Sequence, residues 1–277
     1  MAQAVQRHLR IEPGQSWQGL QLAELWRYRE LLYFFVWRDI KVRYKQTVLG
    51  ALWAIIQPLA GTAIFTLFFG RLGGLSRQVD GSYSLFVFVG LSLWTFYANA
   101  VTLAASSLVG SSHLIAKVYF PRLLIPIAAI LSGLVDFAVA FAFLLVLMIV
   151  YRVPPSALML TLPLFLLGTM AVAAGAGVLF SALIVSYRDF RYVIGFVVQL
   201  WLFATPVLYT LDSIPAEWRL LYAVNPMVGM ITGFRTAVMG GRLPLDVILT
   251  STGVAVVLLA AGLRYFSSVE RRFADVI

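Results

Sequence analysis

Few side chains in this sequence could perform covalent chemistry, and their types and spacing exclude most of it. The two histidines, His8 and His113, stand far apart and the acidic residues form no paired motif. The clustered ligands needed for metal-dependent hydrolysis or head-group transfer are therefore missing. There is no cysteine, which excludes disulfides and thiolate metal sites. None of the three lysines, Lys41, Lys45 and Lys117, follows a glycine, so no Walker A loop can cradle nucleotide phosphates here. A chain of this kind is not expected to be an enzyme, and any ATP that drives it must bind a separate subunit.

Two polar features remain. Asp136 is the one ionisable side chain deep in a long apolar run. Placing it there costs about 2.5–3.5 kcal/mol, so it should face other helices or water rather than lipid. Two readings stand beside each other, a structural hydrogen bond and a part in transport. The second feature is the segment from Glu30 to Lys45, where Arg38, Lys41 and Lys45 recur at i, i+3, i+7 while Leu32, Phe35, Val36 and Ile40 can occupy another face. That spacing predicts a helix lying along the bilayer surface, either as a simple anchor or as a contact for a partner.

The elements that position these residues are apolar runs. Hydrophobic residues make up 61% of the 277 and charged residues 12%, about half the charged fraction of a soluble domain. A run of roughly 20 apolar residues spans a hydrocarbon core of about 30 Å. Such runs occupy Gly50 to Gly70, Ser84 to about Val109, about Ile125 to Tyr151, about Ala157 to Val185, about Tyr192 to Tyr209, and Val247 to about Phe266. The expected fold is an all-α integral membrane protein of six transmembrane helices behind an N-terminal interfacial amphipathic helix. Residues 1–49 form the cytosolic N-terminal segment and residues 50–277 the six-span domain with a short cytosolic tail. Prolines at Pro58, Pro163 and Pro206 predict local kinks. In the fourth span Gly168, Ala171, Ala173, Ala174, Gly175, Ala176 and Gly177 predict a smooth face for close helix packing.

Charge sets the orientation. The segments expected on the same side as the termini carry 15 Lys and Arg, and the opposite side carries six: Arg71, Arg77, Arg152, Arg219, Arg235 and Arg242. That imbalance predicts both termini in the cytoplasm, and it accounts for the net charge of +9 without nucleic acid as a partner. The first 30 residues hold charges but no apolar core segment, so a cleavable secretory signal is not expected at the N-terminus.

Four stretches, in order, carry a family resemblance. Arg38 to Pro58 (RDIKVRYKQTVLGALWAIIQP) closely resembles the opening segment of ABC-2 type permeases that export O-antigen, capsule and teichoic acid. Leu114 to Pro126, Tyr187 to Arg191 with Pro206 to Tyr209, and Asn225 to Met227 are similar to that family in the same order. The likeness runs from about Gln21 to the C-terminus.

The resemblance implies a homodimer that forms a passage for lipid-linked polysaccharide in the bacterial inner membrane. It also implies two copies of a separately made ATPase subunit, which carries the ATP and Mg; this chain holds no cofactor. Contacts with the ATPase map to Trp37, Arg38, Lys41, Arg43, Lys45, His113, Lys117, Tyr119, Pro121 and Arg122. Between spans five and six the family places two short re-entrant helices as an outer gate. They map to Pro215 to Val224 and Met227 to Met239, with Pro215, Asn225, Pro226 and Met227 at their ends.

A polysaccharide passage must be hydrated, because each sugar hydroxyl costs several kcal/mol to strip of water unpartnered. Aromatic rings accept the apolar faces of sugars and still permit sliding. Trp53, Trp94, Tyr97, Trp201 and Tyr209, with Asp136, are the candidates for its wall. An interfacial belt is the other reading of the same aromatics. Rival functions are an ABC-2 exporter of drugs or small lipids, a secondary transporter, and a membrane-embedded transferase. The secondary transporter calls for more intramembrane polar partners than Asp136 alone. The charge-rich Arg38 to Lys45 segment favours the polysaccharide branch.

Overall fold

The computed structural model describes residues 26–45, 50–79, 81–115, 117–118, 120–187, 189–270 and 273. Every regular element among them is helical, and five helices are long and apolar enough to cross a membrane. The chain is an all-helical integral membrane protein.

Helix α1, Arg29–Tyr44, begins with Glu30 and ends with Lys41 and Arg43, charges that complement its dipole. It buries Phe35 against Phe120, Leu123, Phe266 and Phe273, while Tyr33, Phe34 and Trp37 point outward. Apolar groups thus lie on two sides of this helix, so the clean division into a charged and an apolar face expected from the spacing is not formed.

The chain enters the first span at Gly50, whose φ of +45° is open to glycine. A 3-10 turn, Gly50–Leu52, then α2, Trp53–Phe65, and a π-helical stretch, Thr66–Leu72, run on as one apolar rod. Pro58 lies inside α2.

The centre of the bundle is α3, Tyr83–Gly110, started by Ser82, whose side chain accepts from the Leu85 N–H. Its 28 residues extend roughly 42 Å at 1.5 Å per residue. A short α4, Ser112–Ile115, precedes α5, Leu124–Val150. Helix α6, Leu162–Ser186, follows a 3-10 turn, Ala157–Thr161. Pro163 falls in the first turn of α6, where its missing N–H would have had no intrahelical partner. The kink expected at Pro163 is therefore replaced by a helix start.

Helix α7, Phe190–Phe203, has 14 residues, roughly 21 Å, and stops short of the Tyr209 end expected from hydropathy. Thr205 precedes Pro206, and a residue before proline is pushed out of the helical region. The result at Pro206 is a break rather than a kink. The short α8, Ala216–Tyr222, the buried α9, Pro226–Met239, and the last long helix α10, Leu245–Val269, complete the fold.

Small residues set the closest helix crossings, as the fourth-span pattern suggested. A Cβ on Gly262 of α10 would stand 2.3 Å from the Gly175 carbonyl oxygen of α6, and one on Gly177 would stand 2.8 Å from the Ala104 Cβ of α3. Backbone meets backbone at the first crossing, so neither helix can yield by rotating a side chain.

Gly262→Leu should accordingly destabilise the detergent-solubilised protein by at least about 2 kcal/mol through overpacking. Gly253→Ala, on the open side of α10 with nothing within 4 Å of its added carbon, should be neutral or slightly stabilising. Thermal unfolding of the two variants checks the contrast, and equal melting temperatures would refute the close crossing.

Candidate functional site

Three groups of polar and aromatic side chains sit at separate places in the bundle. The first joins α1 to α5. Arg43 and Tyr44, adjacent at the end of α1, both donate to the Asp136 carboxylate, and Arg43 Nη2 also lies 3.3 Å from Ser132 Oγ. Ser132 and Asp136 are one helical turn apart and so share a face of α5. The Arg43 and Asp136 side chains are 26% and 23% exposed. The Tyr44 phenol is pushed to higher pKa, first by burial, then by its bond to the Asp136 carboxylate and that group's negative charge. Asp136 is thus paired, and Arg43, expected on the ATPase-facing surface, turns inward to hold it.

The other candidates for coupling divide in two. Trp37, Lys41, Lys45, His113 and Lys117 are exposed. Lys41 Nζ sits 5.0 Å from the centre of the Trp37 ring. Arg38 pairs with Asp39 at 2.8 Å and lies over Phe35. Arg122 is committed to its own chain: its backbone N–H donates to Glu270 Oε1 at 3.2 Å, and its Nη1 donates to the Glu270 carbonyl. Pro121 is half-buried beside it, and Tyr119 lies outside the described residues. An edge-to-face contact of Phe35 with Phe120, centroids 5.4 Å apart, fastens α1 to the segment after α4. The two stretches expected to meet an ATPase are therefore neighbours.

The second group is aromatic. Tyr97 is 0% exposed and Trp94 5%. Tyr97 packs against Trp94 at 5.3 Å and Trp201 at 5.8 Å between centroids. Neither Trp94 nor Tyr97 presents a face to a passage; both belong to the core around α3. Trp53 stands 54% exposed at the start of α2, while Trp201 and Tyr209 are half-buried. Tyr209 donates to the Phe203 carbonyl or bonds the Tyr222 hydroxyl.

The third group closes the break after α7. Asn225 Oδ1 accepts from Trp201 Nε1 at 2.9 Å and from the Met227 N–H at 3.1 Å. Its Nδ2 donates to the Ala204 carbonyl and to Thr205 Oγ1, both at 2.9 Å. The Asn-Pro pair thus works as N-cap and first residue of α9. At this buried helix start every free donor is met: Pro226 has none, Val228 donates to the Asn225 carbonyl, and Gly229 donates to Ser251 Oγ. Pro226 and Met227 are buried, whereas Pro215 at the start of α8 is exposed. Beside them opens a crevice of about 560 Å³ lined by Trp201, Leu221, Tyr222, Asn225, Val254 and Leu258.

Arg235 on α9 was counted in the sequence only as a charge outside the membrane. It is 7% exposed, and its Nη1 and Nη2 donate to the Pro206 and Val207 carbonyls at 2.8 Å each. The signal that could have found it is a lone charge in an otherwise uncharged 14-residue helix. Among the described residues no three histidine, aspartate or glutamate side chains gather closely enough to hold a metal ion.

Among the described residues, a helical bundle with five helices long and apolar enough to cross a membrane is the framework of an integral membrane protein. The family model for ABC-2 type transporters matches residues 30–239, and the chain belongs to that family. It is 32% identical over 257 residues to the O-antigen export system permease protein RfbA of Myxococcus xanthus, covering 92% of this chain and 98% of that one. An RfbA of Klebsiella pneumoniae is 28% identical over 90% of this chain and 95% of its own. The inner membrane transport permease YadH of Escherichia coli is 30% identical over 75% of this chain and 83% of its own.

Asp136→Ala should leave Arg43 half-buried without its counter-charge and cost about 1–3 kcal/mol, less than for a fully enclosed pair. The exchange Arg43→Asp with Asp136→Arg should recover most of that loss in thermal unfolding. A double variant no more stable than either single one would show that the pair is not the source.

Proposed function

We propose that this chain is the transmembrane permease subunit of an ATP-driven ABC transporter that exports lipid-linked, O-antigen-like polysaccharide from the cytoplasmic side of the bacterial inner membrane. The observation that carries this reading is the similarity to O-antigen export permeases over 90% and more of the chain. The lack of a Walker A loop supports the division of labour, with ATP and Mg held by two copies of a separate ATPase.

Two permease chains pair to form the passage. Surface for such a contact is present, since only 11% of the first span's apolar window is buried and Tyr192, Phe196, Leu200 and Phe203 make an exposed stripe along α7, although lipid tails cover such surface equally well. Trp53, Trp201 and Tyr209 keep free ring surface for sugars, and Trp94 and Tyr97 support them from behind. Helix α7 together with the chain to Tyr209 counts as the sixth crossing. Helices α8 and α9 form the re-entrant outer gate, which the complete capping of the α9 start supports, since irregular backbone at membrane depth must be satisfied by protein. Both termini face the cytoplasm, in keeping with the 15-to-six distribution of Lys and Arg.

The ATPase docks on Trp37, Lys41, Lys45, His113 and Lys117. Motion reaches the bundle through Phe35 and Phe120 and through the Arg43–Asp136 pair. Arg122 fixes the shape of the docking loop by holding the end of α10.

Deleting this chain should remove the polymer from the cell surface and leave lipid-linked polymer inside; normal surface polymer would overturn the proposal. Lys117→Glu should lower export by about tenfold or more by placing like charges at the docking face. The membrane level of the permease should not change, because Lys117 contacts solvent. Measured export and co-purification of the ATPase both at parental levels would remove Lys117 from the interface.

A further inference from the structure

We propose that Arg235 is a positioning residue for transport, a clamp that holds the broken end of α7 closed against α3. This deepens the reading of the chain as an export permease and rests on it for its meaning in transport; the clamp itself is a matter of geometry.

Three consecutive carbonyls in the break, those of Pro206, Val207 and Leu208, each accept one side-chain bond. Arg235 Nη1 and Nη2 supply the first two, and the Tyr83 hydroxyl supplies the third at 2.7 Å. Tyr83 begins α3. The guanidinium also lies 3.6 Å from the centre of the Phe86 ring. It fits only because residue 90 is glycine: a Cβ there would stand 2.4 Å from Arg235 Nη2. One cation therefore joins α9, the break and two successive turns of α3.

A neutral donor could cap the same carbonyls. The positive charge is surplus to that task, and no carboxylate among the described residues pairs with Arg235. Its Nε has no hydrogen-bond partner. Carbonyl dipoles and the face of Phe86 offset part of the cost of enclosing a cation, and access of water would relieve the rest. The closed arrangement is thus poised to open rather than simply capped.

The sparsely buried element next to the break is α7. Only Ile194 and Val198 of its 14 residues are buried, whereas α9 buries 11 of its 14. With the carbonyls of Pro206 and Val207 released, the end of α7 is still held by the Tyr83 bond to Leu208 and by the Asn225 bonds to Trp201, Ala204 and Thr205, so the loosening centres on the break itself, where residue 207 lies.

The sequence has no cysteine, so Val207→Cys, at a position 0% exposed, reports opening by its reaction with a membrane-impermeant maleimide. The full chain is reconstituted in proteoliposomes without ATPase or polymer, well below its melting temperature. In this background the thiol should be protected. Arg235→Met and Gly90→Ala should each speed labelling by at least about tenfold, the order expected when a charge-assisted hydrogen bond is lost. Arg235→Lys, which offers an ammonium without the planar fork, should fall between. Should Arg235→Met fail to fold, Gly90→Ala and Arg235→Lys decide. Parental labelling rates in those folded variants would overturn the clamp, as would labelling that rises only in step with a lowered melting temperature. Failure of the export reading would show elsewhere, as surface polymer unaffected by deletion of the chain, with the labelling differences intact.

Discussion

A backbone N–H or C=O left bare in hydrocarbon costs several kcal/mol, and the organisation of this bundle follows from that cost. Long helices satisfy themselves. Where the chain leaves the helix inside the packed bundle, other parts of the protein must supply the missing partners. The stretch after α7 shows how far this goes: Ala204 is met by Asn225, Pro206 and Val207 by Arg235, and Leu208 by Tyr83. The start of α9 is met in the same way by Asn225 and Ser251. Irregular chain is tolerated here because polar side chains from fixed helices complete it, and this gives those side chains control over whether the segment stays in place.

Rigidity and looseness are divided accordingly. The crossing of α6 and α10 through Gly175 and Gly262 leaves no side chain to adjust, and α3 is enclosed along most of its length. By contrast α2 and α7 bury little, and α1 is attached by a few specific contacts, among them Phe35 with Phe120 and Arg43 with Asp136. A force applied to α1 is passed into α5 through a charge pair, which keeps its direction better than an apolar contact because its geometry is fixed by hydrogen bonds.

Much of the helical order was legible because hydropathy and length report on the bilayer directly. The first four long runs and the last appear close to their expected bounds. The fifth fell short because Pro206, read as a kink, stops α7 once the preceding Thr205 is forced out of the helix. Pro163 misled in the opposite sense, since a proline in a first turn costs nothing. The partner of Asp136 was invisible because Arg43 lies 93 positions away on an element outside the spans. Composition likewise cannot tell an aromatic facing a passage from one facing a neighbour. Trp94 and Tyr97 are enclosed while Trp53 is open, and only the direction of each helix face decides that. Arg235 was hidden by topology, because a charge near the expected end of a segment reads as solvated until the packing around it is known.

The sparsely covered wall of α2 has a consequence of a different kind. Any surface that settles on it displaces acyl chains rather than hydration water, so the driving force comes from van der Waals fit and the release of ordered lipid. Ionic strength will have little hold on such an association. Bilayer thickness and the saturation of the surrounding tails would tune it instead.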